Sequence, residues 1–251
     1  MPLPVALRLY GQMPYATAWT LQRTLVQDRI EERIPDTLIL LEHEPVFTIG
    51  RRGHSDHCDE SVLLASGYPV FHVERGGSVT YHGPGQIVGY PILRLNRFCP
   101  GPKIYMQLLE EVIIRTLAAW NLPGARMKGL TGVWVGQEKI AAMGVRIIRG
   151  VTMHGFALNV SINLDPFDRI VPCGIAGCRV TSMSRLLDQP LEPWIVRKHL
   201  AHVFADVFDA QWIETTGSTE TATSVTCREA ADLPVAMRPA PDRAHVRGCD
   251  E

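Results

Sequence analysis

A basic field is missing from this chain: at 251 residues and a formal net charge of -1 it carries nothing of the kind that grips a nucleic-acid backbone, so nucleic acid is not an expected partner. No apolar run reaches the roughly 18 residues of a membrane helix, which removes a membrane partner. The opening Met1-Pro2-Leu3-Pro4-Val5 lacks the charged start and long apolar stretch of a signal peptide, and it is not a transit sequence rich in arginine and serine. Six cysteines, Cys58, Cys99, Cys173, Cys178, Cys227 and Cys249, form no CxxC and no close ladder, so neither a disulfide framework nor a zinc ribbon organises the chain. A reducing cytoplasm is the expected location. No GxxxxGK[ST] phosphate loop and no internal repeat occurs.

What is present is ample apolar material, 46% of the residues, enough for a sizeable core. Residues Val5 to Leu9 read as a strand and Tyr15 to Arg33 as a helix with Ala18, Leu21, Leu25 and Ile30 as its stripe. Thr37 to Glu42 and Pro45 to Ile49 read as strands, with His43 and Glu44 at an exposed junction or on the substrate side. Val62 to Ala65 is a helical turn and Pro69 to Val73 a strand. From Ile87 to Leu95 the chain has central-strand character, although Pro91 calls for a bulge or an edge. Lys103 to Trp120, with Leu109, Ile113 and Leu117 at four-residue spacing, is the clearest amphipathic helix. Thr131 to Val135, Lys139 to Ile148 and Val151 to Val160 form a β-meander. Asn163 to Ile170 is a connecting loop, and Pro193 to Phe208 is a last amphipathic helix. Residues 1–213 are expected to form one catalytic domain and residues 214–251, rich in threonine, serine, proline and charge, a flexible tail.

Glycine and proline concentrate in Arg75-Gly76-Gly77-Ser78-Val79-Thr80-Tyr81-His82-Gly83-Pro84-Gly85-Gln86, where five of them surround polar side chains. Such a segment suits a backbone that approaches a ligand closely. Cys173 lies between Pro172 and Gly174, where irregular backbone presents a side chain; nucleophile and small inert hydrophobe are both open to it. A thiol needs a partner to ionise near neutral pH, and His82, His154 and Lys139 are the candidates. Lys139 opens the apolar stretch Ile140-Ala141-Ala142-Met143-Gly144-Val145, so it either snorkels to the rim or is held near an anion. A cluster of His54, His57 and Cys58 lacks the second half that a zinc site requires, and no metal is expected.

Several blocks together carry a family resemblance: His43-Glu44-Pro45-Val46-Phe47-Thr48-Ile49-Gly50-Arg51; Arg75 to Gln86 with Tyr90-Pro91; Gly129-Leu130-Thr131-Gly132-Val133-Trp134-Val135; Glu138-Lys139-Ile140-Ala141-Ala142-Met143-Gly144-Val145-Arg146; His154-Gly155-Phe156-Ala157-Leu158-Asn159-Val160; and Pro172-Cys173-Gly174-Ile175. In this order the chain resembles the lipoyl(octanoyl) transferases of lipoate biosynthesis, from roughly residue 8 to 210.

The resemblance implies an α/β fold of α+β type, with a mixed, largely antiparallel sheet flanked by helices, like the biotin/lipoate protein ligases. It implies transfer of an octanoyl group from octanoyl-acyl carrier protein to a specific lysine of a lipoyl domain, through a cysteine thioester. Acceptors would be the E2 subunits of 2-oxoacid dehydrogenases and the glycine cleavage H protein. By motif, the catalytic pair becomes Cys173 and Lys139, and the acyl-binding residues become Arg75, Gly76, Gly77, Ser78, Val79, Thr80, Tyr81, His82, Ala142, Met143, Gly144, Gly155, Phe156 and Ala157. The chemistry calls for no cofactor, because a thioester is exchanged for a thioester and then for an amide. Lys139 acts either as a base desolvated by its apolar neighbours or as a cation that stabilises the thiolate. Backbone N–H groups near Gly144 or Gly155 are the expected oxyanion donors. The rivals are an ATP-dependent lipoate- or biotin-protein ligase of the same fold, which needs no nucleophilic cysteine, and a catalytically silent binder of lipoyl domains or acyl carrier protein.

Overall fold

The computed structural model of the chain describes residues 1–53, 58–171 and 177–214. Its organising element is a sheet buried on both faces, and strand β2 (Asp36–His43) shows how. Successive side chains of a strand point to opposite faces. Leu38 and Leu40 accordingly enter one apolar cluster, with Leu109, Val112, Ile113, Leu200 and Phe204, while Ile39 and Leu41 enter another, with Ala18, Leu25 and Val26.

The first face is covered by helices α3 (Pro102–Ala118) and α5 (Pro193–Val207), each with a proline in its first turn, where a missing N–H costs nothing. The second is covered by α1 (Tyr15–Ile30). This helix stops three residues short of the expected Arg33, and Glu32 takes a left-handed φ of 59° as the chain turns. Its expected stripe packs on this face, Ala18 and Leu25 buried and Leu21 and Ile30 half-buried, and the polar Gln22 and Arg29 are buried as well.

Among the described residues the large sheet has nine strands. β1 (Leu3–Met13) pairs in parallel with β2 and with β12 (Ala210–Ile213), a strand the sequence reading lacked. Next come β6 (Gln86–Ile92), β10 (Val151–Asn159), β9 (Glu138–Ile148), β8 (Leu130–Val135) and β7 (Gly124–Met127), all antiparallel to their neighbours. β11 (Arg179–Val180) joins β9 in parallel. A smaller sheet, β4 (Val70–His72), β3 (Val46–Ile49) and β5 (Val79–His82), has its own cluster of Phe47, Leu63, Val79, Tyr81, Ile162 and Phe167, with Leu63 from the short helix α2 (Glu60–Ala65). Helix α4 (Met183–Leu187) precedes α5.

Pro91 lies in a central strand, not at an edge. The β6–β10 ladder ends at the pair Gly89–Phe156, and beyond it the Thr152 hydroxyl donates to Pro91 O at 2.7 Å and accepts from Leu93 N–H at 2.9 Å. A side chain thus satisfies the Pro91 carbonyl and the Leu93 N–H where the ladder stops. Among the described residues no helix is long and apolar enough to cross a membrane. The expected tail lies outside the described residues beyond Glu214.

Candidate active site

Lys139 stands at the start of β9 and does not snorkel; it is only 3% exposed. Its Nζ donates to Thr131 O at 2.8 Å and lies 5.3 Å from the centre of the Trp134 ring. Gly132 makes that approach feasible. It has φ of 120°, and a Cβ there would come within 2.6 Å of Lys139 Cε and of Ala141 O. On the other side of β9, Val180 of β11 pairs with Lys139, and Thr181 N–H donates to Lys139 O at 3.0 Å. The proposed nucleophile Cys173 lies outside the described residues, with Pro172, Gly174 and Ile175; so do His54 and His57.

The glycine-rich segment folds back on the same sheet. Arg75 is buried, and its Nη2 donates to Thr48 O at 2.7 Å and to Thr48 Oγ1 at 2.9 Å. Gly76 N–H donates to Val145 O at 3.0 Å, and a Cβ on Gly144 would sit 2.6 Å from Gly76 O. These glycines therefore serve first to let two protein backbones touch. Within β5 the faces divide. Val79 and Tyr81 pack into the apolar cluster under the small sheet, and His82 turns the other way.

The same alternation divides the other expected acyl residues. Met143 and Phe156, a cross-strand pair, face the α3–α5 layer, whereas Ala157 and its partner Ala142 face the α1 side. Gly144 pairs with Gly155. Met143 and Phe156 thus offer only backbone to the face on which the Arg75 segment lies.

A hydrogen-bonded line crosses from this segment toward Lys139. His82 Nδ1–H donates to Gln86 Oε1 at 2.7 Å, Gln86 Nε2 donates to Asn159 Oδ1 at 2.9 Å, and Asn159 Nδ2 donates to Thr181 O at 2.9 Å. Asn159 was not singled out from the sequence as a functional residue. Its sequence signals were its place in the His154 to Val160 block and a polar side chain at the end of an otherwise apolar strand.

Three histidines are buried around this line. His43, fully buried rather than exposed, donates from Nδ1 to Met13 O at 2.9 Å and accepts from Tyr90 OH at 2.7 Å. His154 adopts φ of 59°, and its N–H donates to Gln22 Oε1 at 3.0 Å. Among the described residues, His154 Nε2 and Gln22 Nε2 have no hydrogen-bond partner. Glu74, bonded by Trp19 and Arg23, lies 3.9 Å from His154.

Burial lowers His43 to about 4; burial, then the charge of His43, lowers His82 to about 3; burial, then Arg75, lowers His154 to about 4. In the unfolded chain these groups take up protons below the ordinary 6.5 while the folded protein excludes them, so stability is full above that pH and falls toward pH 4. Each histidine contributes a slope of about 1.4 kcal/mol per pH unit. Thermal melts are expected to decline steadily from pH 7 to 5, and His43→Gln is expected to flatten that decline; an unchanged slope in the variant would refute the assignment.

Among the described residues no group of three or more histidine, cysteine, aspartate or glutamate side chains is placed to hold a metal ion. What the arrangement offers is an amine held by a carbonyl at the end of a strand, a backbone-lined face beside it, and uncharged histidines beyond.

Comparison with known proteins adds three findings. The lipoyl protein ligase A/B catalytic domain family matches residues 14–205. The octanoyltransferase of Syntrophotalea carbinolica is 45% identical over 194 residues, 77% of this chain and 90% of that protein, and that of Alkaliphilus metalliredigens is 45% identical over 210 residues, 82% and 95%. A solved structure of a bipartite lipoate protein ligase from Thermoplasma acidophilum, described with its E2 lipoyl domain, is similar with a TM-score of 0.66 at 16% identity, covering 86% of this chain and 88% of that one. At that identity the likeness speaks for the fold alone.

Proposed function

Because this chain belongs to the lipoyl protein ligase A/B catalytic domain family, alongside octanoyltransferases, we propose that it moves an octanoyl group from octanoyl-acyl carrier protein to a lysine of lipoyl domains, with Cys173 as nucleophile and Lys139 as its proton partner. The observation that carries this reading is Lys139 itself. It is a buried amine, paired along its backbone with the strand that follows the Pro172-Cys173-Gly174 motif in the chain. Cys173 precedes Arg179 of that strand by only six positions.

In the first step the Cys173 thiolate attacks the carrier thioester. A bond forms from Cys173 Sγ to the acyl carbon, the carrier's C–S bond breaks, and the carrier leaves as a thiol with the proton that Lys139 has held. In the second step the amine of the acceptor lysine attacks the acyl-Cys173 carbonyl. The C–N bond forms, the C–Sγ bond breaks, and Lys139 passes the proton lost by the amine back to Cys173. Neither step consumes ATP.

The acyl site in this reading is built from Arg75 to His82, Ala142 to Gly144 and Gly155 to Ala157, which the pairing of Gly144 with Gly155 and the bond from Gly76 N–H to Val145 O hold together. Burial of an octanoyl chain contributes about 5 kcal/mol at roughly 0.8 kcal/mol per methylene, enough to hold the intermediate. One methylene changes discrimination by only about 1–3 kcal/mol, so chain-length preference is graded. Backbone N–H groups beside Gly144 or Gly155 would meet the oxyanion. The acceptors in this reading are lipoyl domains of E2 subunits and the glycine cleavage H protein. The thiols of Cys58 and Cys99 suit a cytoplasmic location.

The test is intact-mass analysis of the full chain mixed with octanoyl-carrier. An octanoyl adduct is expected to accumulate without acceptor and to discharge when a lipoyl domain is added. Acylation of the lipoyl domain only from free octanoate and ATP would establish the ligase reading instead. Rapid loss of the adduct to water would establish a thioesterase.

A further inference from the structure

One peptide group stands between Lys139 and a buried carboxylate. The C=O of Thr131 accepts from Lys139 Nζ at 2.8 Å, and the N–H of Gly132, the other end of that same amide, donates to Glu110 Oε1 at 3.2 Å. Glu110 belongs to α3, between Leu109 and the fully buried Val112 and Ile113, and is itself 8% exposed. Its second oxygen is held by Arg126 Nε at 3.1 Å, and Arg126 is fixed in turn by Gln107 O at 2.8 Å and Glu111 Oε2 at 2.9 Å. A carboxylate is rarely taken out of water unless something is gained, and here both oxygens are committed.

The surrounding backbone is shaped to keep this amide in place. The β8–β9 register shifts between Val133 and Trp134, just after it. Gly132 holds a φ of 120° that other residues rarely adopt, and any side chain there would strike Lys139 Cε and the Ala141 carbonyl. An amide whose N–H is bonded to an anion is polarised, which makes its carbonyl a better acceptor, because linked hydrogen bonds strengthen one another.

From this arrangement we infer that Glu110 is a positioning residue for Lys139, acting through the Thr131–Gly132 peptide. Glu110 orients the amide, the amide carbonyl aims the Lys139 amine, and Arg126 orients Glu110. The inference rests on the reading of Lys139 as the proton partner of Cys173.

The test is a double-substitution cycle on single-turnover acylation and on steady-state transfer. Glu110→Ala is expected to lower kcat by roughly tenfold to a hundredfold, the cost of a small misplacement of a reacting group, with KM unchanged. In a Lys139→Ala background the same change is expected to do nothing further, since the group it positions is gone. Glu110→Gln keeps an acceptor for Gly132 N–H and is expected to recover most of the loss; if Glu110→Ala fails to fold, the cycle is read on Glu110→Gln, whose smaller loss must also vanish in the Lys139→Ala background. Equal losses in both backgrounds, or no loss in either variant while Lys139→Ala is inactive, would overturn the inference and leave the mechanism standing. Full activity in Lys139→Ala alone would sink the mechanism and with it this role for Glu110.

Discussion

Cys173→Ala is expected to reduce octanoyl transfer by at least about 10³-fold and Lys139→Met by about 10²- to 10⁴-fold, for different reasons that intact-mass kinetics separates. Removing a covalent nucleophile leaves only what binding and oxyanion donors supply, and such losses are commonly on the order of 10⁴ to 10⁶. The Cys173→Ala protein should therefore show no adduct at any time. Removing the proton partner costs less, on the order of 10² to 10⁴ per proton-transfer step, and two steps depend on it. The Lys139→Met protein should form the adduct slowly and discharge it slowly. Its fold should be intact, because methionine fills much of the space beside Trp134, and the carbonyl that loses its donor belongs to surface-exposed Thr131. The check is single-turnover acylation followed by mass, with thermal melts run beside it. A Lys139→Met variant that acylates at the unaltered rate would remove Lys139 from the mechanism.

Whether Lys139 snorkels or is buried was open in the sequence, because a lysine at the head of an apolar run suits either, whereas strands β2, β8, β9 and β10 were legible because their pattern is local. What escaped was whatever depends on residues far apart in the chain. Gln22 reads as a polar surface residue of α1, yet its Oε1 accepts from His154 N–H, 132 positions away. Glu110 reads as the solvent side of an amphipathic helix, yet it accepts from Gly132 N–H, 22 positions away, a pairing that no periodicity anticipates. β12 is four residues long, and it is a strand only because β1 offers a parallel edge from the opposite end of the domain. His43 looked like a strand terminus, and burial beneath Tyr15 and Tyr90 is set by the packing of α1 and β6. Pro91 misleads in the opposite sense, since a proline is tolerated in this central strand where the Thr152 hydroxyl satisfies the Pro91 carbonyl and the Leu93 N–H beside it.

Asp36→Leu is expected to lower stability by about 3–5 kcal/mol without altering the chemistry of the molecules that stay folded. Asp36 has no exposed surface, and its carboxylate gathers three elements. Arg29 at the end of α1 donates from Nε to Oδ1 at 2.7 Å, Arg94 N–H after β6 donates to Oδ1 at 2.6 Å, and Arg97 Nη1 donates to Oδ2. Arg94 then ties in a fourth element, donating to Ile30 O at the end of α1 at 3.1 Å and to Arg149 O in the β9–β10 turn at 3.1 Å. Losing the carboxylate leaves the Arg29 guanidinium, 6% exposed, buried without a counter-charge, which is the costly way to break such a pair. At roughly 2–4 °C per kcal/mol for a domain of this size, the melting temperature should fall by about 10–15 °C. The double variant Asp36→Leu with Arg29→Met should recover much of the loss, because an apolar pair needs no compensation. Lys139 lies ten residues along β9 from Arg149, roughly 30 Å at strand rise, so kcat measured well below the melt should be unaffected. A fall of under about 3 °C, or a double variant no better than the single one, would show that the Asp36 cluster is held together by backbone packing and not by the buried charge.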